Sequence, residues 1–159
     1  MTCLTPISAT TGFDDFIVPF DTMQGLRHIL GNDPRPHYAH QSNLAEDRTL
    51  LPITESILKR YRSLFATNAP VASVSQTQAA DILTRQTAWA TGASRVEGYT
   101  INNEIYIVAN GYTGQIPVTA PAGTKVGSSQ GATFGEAYTG EQSAWIASPG
   151  ATPAKFIRP

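Results

Sequence analysis

Residues 95–109 read RVEGYTINNEIYIVA, and this stretch decides how the rest of the chain is parsed. Arg95–Ile101 and Glu104–Ala109 are rich in β-branched and aromatic residues, and only Asn102 and Asn103 separate them. Asn tolerates the positive φ of a two-residue hairpin turn, so the spacing predicts a β-hairpin. That register sets Tyr99 opposite Tyr106 and Thr100 opposite Ile105. Toward the C-terminus, strand-like runs follow at Gln115–Thr119, Thr133–Tyr138, Ser143–Ala147 and Lys155–Ile157. Turn residues separate them: Pro121-Ala122-Gly123, Thr139-Gly140 and Pro149-Gly150. Short strands at this spacing predict a small antiparallel β-sandwich.

Upstream of Gly92 the period changes. Ser75 with Gln78 three residues on forms a capping box that opens a helix, and Ile82, Leu83 and Trp89 give it a modest apolar face. Residues 67–74 read as a linker. Before it, Ile53, Ile57, Leu58, Tyr61, Leu64 and Phe65 recur at helical spacing behind Pro52, which suits a first helical residue. His37–Gln41 reads as a short strand, with Pro34 and Pro36 excluding a helix there. Met23, Leu26, Ile29 and Leu30 predict another helix, with Asp21 as N-cap and Gly31 just past its end. Phe16–Phe20 contains Pro19 and is at most an edge strand. The expected fold is α+β. A partial α/β segment spans residues 1–66, a linker 67–74, and a helix leading into the β-sandwich 75–159.

Composition excludes several classes of function. The net charge is −1, from 11 basic and 12 acidic residues that are spread evenly over both parts. No basic patch marks a nucleic-acid binder. No apolar run approaches the roughly 20 residues of a membrane span, and the start of the sequence has no signal-peptide pattern. Cys3 is the sole cysteine, which excludes an intrachain disulfide and a cysteine-based zinc site. The charged fraction of 14% is low and suits the Ser/Thr/Gly-rich β-domains of secreted proteins.

The residues that carry chemistry lie in Asp33–Leu44, DPRPHYAHQSNL. His40 closes the expected strand, where α/β folds collect functional side chains, and imidazole is suited to acid–base work near neutral pH. The alternative is a loop histidine that bonds only to its neighbours. His37 and His40 are three apart, which on a strand puts them on opposite faces and argues against a shared metal.

The stretch DPRPHYAHQSNLAEDRTLLPITESILKRY resembles the late part of the catalytic domain of exopolysaccharide deacetylases, the galactosaminogalactan-type relatives of the NodB-like polysaccharide deacetylases. In that family a late barrel strand ends in a histidine that acts as general acid, and His40 occupies the matching place. The resemblance covers residues 20–66, with PHYAHQSNL its most specific part. It implies that the first segment is a barrel remnant and that His37, Tyr38, Ser42 and Asn43 contact substrate. The polymer would be an extracellular amino-sugar polysaccharide, with the protein outside the cell or at its surface. The family's divalent metal, such as zinc, is held by an Asp and two His. No matching motif occurs here, so no cofactor or metal ligand is expected in this chain. Gly12-Phe13-Asp14-Asp15-Phe16 is superficially similar to the family's early Asp-Asp motif. It lies too close before His40 to leave room for a barrel and reads as an exposed acidic turn. On this reading the chain is the C-terminal fragment of an N-deacetylase, inactive alone.

Tyr99, Tyr106, Tyr112, Tyr138 and Trp145 of the β-domain support a different class, a non-catalytic carbohydrate-binding or accessory module. A structural domain with no ligand is the third. Core packing is the expectation for Trp145, and a buried face the one for Tyr99 and Tyr106.

Overall fold

The computed structural model describes residues 6–35 and 37–159. Among them the fold is α+β, with three α-helices and two small antiparallel sheets. The helices are α1 (Val18–Leu30), α2 (Leu50–Leu64) and α3 (Gln76–Gly92). The strands are β1 (Val96–Ile101), β2 (Glu104–Ala109), β3 (Gln115–Pro121), β4 (Lys125–Val126), β5 (Glu136–Tyr138), β6 (Glu141–Ala147) and β7 (Ala154–Ile157). The chain forms two compact units. One holds the residues up to Thr67 with Val71–Ala79, and the other Asn68–Pro70 with Ala80–Pro159.

In the helical unit, a π-helical turn at Phe13–Ile17 runs directly into α1. The expected edge strand at Phe16–Phe20 is therefore helical. Pro19 sits in the first turn of α1, where its missing N–H removes no intrahelical bond. Asp21 is not the N-cap but an acidic residue of that first turn, beside the positive end of the helix dipole. Likewise α2 starts at Leu50, so Pro52 falls on its third residue, still among the groups without an intrahelical acceptor. Gly25 lets α1 approach α2 closely. A Cβ there would lie 2.5 Å from Ile57 Cδ1. Of the α2 stripe only Tyr61 is buried, with its ring stacked on Phe65 at 4.6 Å, while Leu58, Leu64 and Phe65 are exposed.

The expected strand at His37–Gln41 is not formed. The backbone is extended at His40 (φ −73°, ψ 152°), but no ladder partner exists among the described residues, and a 3₁₀ turn follows at Gln41–Leu44. Pro34 excludes a helix there, but an extended segment becomes a strand only with a neighbour to pair with; Pro36 lies outside the described residues. Barrel strands are thus absent from the described part of this unit.

The β unit follows its sequence more closely. Ser75 and Gln78 form the reciprocal cap of α3, with bonds of 2.8 and 3.3 Å. The β1–β2 hairpin has the expected register, Tyr99 opposite Tyr106 and Thr100 opposite Ile105, and Asn102 takes φ 54° in the turn. One sheet has the order β1-β2-β7-β4 and the other β3-β6-β5. They share a core of Ile107, Tyr112, Ile116, Val118, Ala120, Phe134 and Phe156. The inward residues alternate along β3 as Ile116, Val118 and Ala120. Tyr112 is fitted closely, since a Cβ on Gly92 or Gly114 would come within 2.3 Å of its side chain.

Two packing expectations are corrected. Tyr99 and Tyr106 stack at 5.2 Å, but Tyr99 is 43% exposed, because Ile107 takes the inward position next to Tyr106 on β2. Trp145 is only half-buried, with the Arg85 guanidinium 5.4 Å from its ring centroid.

Candidate functional site

The segment from Asp33 to Leu44 builds one edge of the helical unit. Asp33 starts it by clasping Arg35. Its carboxylate accepts the Arg35 backbone N–H at 3.0 Å and the guanidinium at 2.6–3.1 Å. The Arg35 side-chain bonds hold the Asp33 carboxyl at about 2, well below its ordinary 3.8. His28, in the last turn of α1, lies 3.9 Å from the same carboxylate. Its Nδ1 is hydrogen-bonded to Nε2 of His37 at 3.0 Å, with the rings edge-on at 4.6 Å. His37 is therefore tied back to α1.

His40 is exposed. Its backbone N–H donates to Asn43 Oδ1 at 3.0 Å, and the Asn43 N–H donates to the His40 carbonyl at 2.9 Å. This reciprocal pair fixes the backbone at His40 and leads into the 3₁₀ turn. The Tyr38 ring meets the His40 imidazole edge-on at 5.6 Å and is itself 84% exposed. Among the described residues, His40 makes no ion pair and no bond to a carboxylate or a second imidazole.

These side chains border an open groove of about 700 Å³ within the helical unit. His37, Tyr38, His40 and Asn43 form its polar wall, and Ile53, Ile57 and Leu58 of α2 its apolar wall. Asp21 and Gln24 reach it from α1. Ser42 is not part of the lining; its carbonyl closes the turn by accepting the Ala45 N–H at 3.3 Å. The groove thus combines four of the five residues singled out in the sequence with α1 and α2 residues that no local spacing announces. His28 is another such residue, brought to His37 by the turn at Gly31-Asn32, where Asn32 takes φ 51°.

No group of three or more His, Cys, Asp or Glu among the described residues is arranged to hold a metal ion. The described residues do not fit the divalent metal of the deacetylases. No helix among the described residues is long and apolar enough to cross a membrane.

The β unit presents a second polar–aromatic surface. The Tyr106 hydroxyl donates to Glu104 Oε2, and Lys155 Nζ lies 2.6 Å from Glu104 Oε1. The Lys155 ammonium and then the Tyr106 hydroxyl lower the Glu104 pKa. Tyr99, stacked on Tyr106 and exposed, stands next to this cluster.

Against models of protein families, curated proteins and solved structures, the chain gives no match.

Proposed function

We propose that the chain is the C-terminal portion of a polysaccharide N-deacetylase that acts on an extracellular amino-sugar polymer, inactive by itself. One observation supports this reading above the others. His37, Tyr38, His40 and Asn43, from the string that resembles the deacetylases, line a single groove with an apolar wall opposite. A hexosamine unit offers the matching surfaces, an apolar ring face and polar substituents. In deacetylation, water adds to the acetyl carbon, the C–N bond breaks and the departing nitrogen takes up a proton. His40 is the residue assigned to give that proton. Tyr38 would stack on the sugar, and His37 and Asn43 would bind its polar groups. A divalent metal supplies the activated water in the family, and the described residues contribute no set of ligands for it.

The test is an NMR titration of the ¹⁵N-labelled chain with N-acetylhexosamine oligomers, paired with an acetate-release assay. Shift changes are expected at Tyr38, His40 and Asn43, reduced by His40→Ala and Tyr38→Ala, with no acetate released. Shifts confined to other regions would overturn the assignment of the groove. Acetate release by the chain alone would overturn its inactivity.

The exposed Tyr99–Tyr106 stack favours one other reading, a carbohydrate-binding β-module. The same titration separates the two. Shifts at Tyr99, Glu104 and Lys155, abolished by Tyr99→Ala and unaffected by His40→Ala, would identify the β unit as the binding part.

A further inference from the structure

The contact between His28 and His37 is made by two side chains of the one type that changes charge near neutral pH. His28 Nδ1 and His37 Nε2 are 3.0 Å apart, with the rings at 89° to each other. A hydrogen bond between two imidazoles needs one nitrogen that still has its lone pair. Two neutral rings meet that need. So does one neutral ring with one imidazolium, and that bond is charge-assisted and stronger. Two imidazoliums offer donors only and repel each other. The bond therefore survives the first proton and is lost with the second.

The charges around the pair are fixed over the same range. Asp33 Oδ2 lies 3.9 Å from His28 Nδ1. Its carboxyl, held at about 2 by Arg35, stays ionised wherever imidazoles titrate, and so sets a constant negative charge beside the pair. The Arg35 guanidinium keeps its charge as well. On α1, Arg27 precedes His28, and Asp21 borders the groove that His37 lines. In the segment after His37, Tyr38 and His40 meet each other edge-on at 5.6 Å. From α2, Leu50, Ile53, Thr54 and Ile57 face the groove and carry no charge. Of these side-chain types only imidazole titrates between about pH 5 and pH 8.

The bond also sits where its loss has a consequence. The hydrogen bonds of His40, Ser42 and Asn43 run within their own segment. Asp33 is bonded to the end of α1, its N–H donating to the His28 carbonyl at 3.0 Å. Beyond that clasp, the imidazole pair ties the polar wall of the groove back to the helix.

We propose that the His28–His37 pair is a pH latch. It holds residues 37–44 on α1 while the pair carries at most one proton, and it releases them when the second is taken up. The groove then keeps its polar wall near neutral pH and loses it in acid. This inference does not depend on which molecule the groove binds.

A pH titration of the ¹⁵N-labelled full chain by NMR relaxation tests it without a ligand. Backbone order parameters of residues 38–44 should fall from about 0.85 at about pH 8 to below about 0.6 at about pH 5, with those of α1 unchanged. His28→Leu should leave the segment released at both pH values. His28→Asn places an amide oxygen near the position of Nδ1, which accepts from neutral and protonated His37 alike, and should keep the segment ordered at both. Order that does not change with pH, the same pH dependence in His28→Leu, or release in His28→Asn equal to that in His28→Leu would each overturn the latch. A parallel loss of order in α1 would overturn it too, since the acid transition would then be general unfolding of the unit.

Discussion

The two units hold themselves together by different means. The β unit has a core fed from both sheets, in which Ile116 and Phe134 are 2% exposed and Phe156 is 3% exposed. In the helical unit Tyr61 is the only large apolar side chain buried among the described residues, and the other buried positions there are Gly12, Thr22, Gly25 and Ala79. Its helices meet through a missing side chain, Gly25 against Ile57, more than through interlocked ones. The contrast teaches that regular secondary structure is not a measure of local stability. A two-helix layer exposes on each helix a face that only a third element could bury. The β unit, with a shorter average element, closes around its own apolar residues.

The comparison is broken most directly by deleting a core ring. Phe156→Ala removes a side chain packed edge-on to Phe134 at 4.8 Å and should cost about 3–5 kcal/mol. Both tryptophans, Trp89 and Trp145, lie in the β unit, so their fluorescence during urea unfolding reports on it alone. A loss under about 1 kcal/mol would mean that the core is not what stabilises this unit.

A smaller effect is expected at the helix contact. Gly25→Val places methyl groups against Ile57 and should destabilise the helical unit by about 1–3 kcal/mol, with Ile57→Ala in the same chain restoring part of the loss. The measurement is the far-UV circular dichroism change during urea unfolding that precedes the tryptophan transition. No loss, or no recovery in the double variant, would show that α1 and α2 do not depend on this contact.

Acid separates the units more gently. Asp33, held at about 2 by Arg35, and Glu104, lowered by Lys155 and Tyr106, both have depressed pKa values. A depressed carboxyl gives stability that is complete above its unfolded value and is lost as pH falls through its folded value. For Asp33 the contribution fades between pH 3.8 and about 2. For Glu104 it fades below pH 4.5. Asp33→Asn should flatten the acid limb of the helical signal only, and Glu104→Gln that of the tryptophan signal only. An effect of either variant on both signals would mean that the units unfold as one.

The smallest effect belongs to Tyr38→Ala. With its ring 84% exposed, removal should change stability by less than about 0.5 kcal/mol while lowering oligosaccharide binding. A large loss of stability would reassign Tyr38 from ligand contact to structure.

Where local chemistry decides conformation, the structure could be anticipated from the sequence. Asn102-Asn103 between two β-rich runs specified a hairpin down to its register, and Ser75 with Gln78 specified a helix start. Where a distant partner decides, it could not. The two residues of β4 are a strand only because Phe156 and Ile157 pair with them. His37–Gln41 has strand character, but among the described residues it has no ladder partner, and its last residue enters the 3₁₀ turn. At Phe16–Phe20 a proline fitted either an edge strand or a first helical turn, and the helix prevailed. Alternation along β2 gave two faces, Ile105 and Ile107 against Glu104, Tyr106 and Val108, without revealing which would be covered. The groove was half visible in the same sense. His37, Tyr38, His40 and Asn43 stand together in the sequence, whereas Asp21, Gly25 and Ile57 join them only by tertiary packing.

The position of β7 governs how fast the β unit can assemble. It lies between β2 and β4 and is the last strand in the chain, pairing Phe156 with Ile105 across most of the unit's length. The β1–β2 hairpin can form within about 1–10 μs, but closing the long loop that delivers β7 is much slower. During that wait one edge of β2, with Ile105 and Ile107, has no neighbour, and a strand from another molecule is as acceptable a partner as β7. Early refolding is thus the interval in which this protein is most prone to aggregate, and dilute, slow refolding is the condition that favours its native sheet.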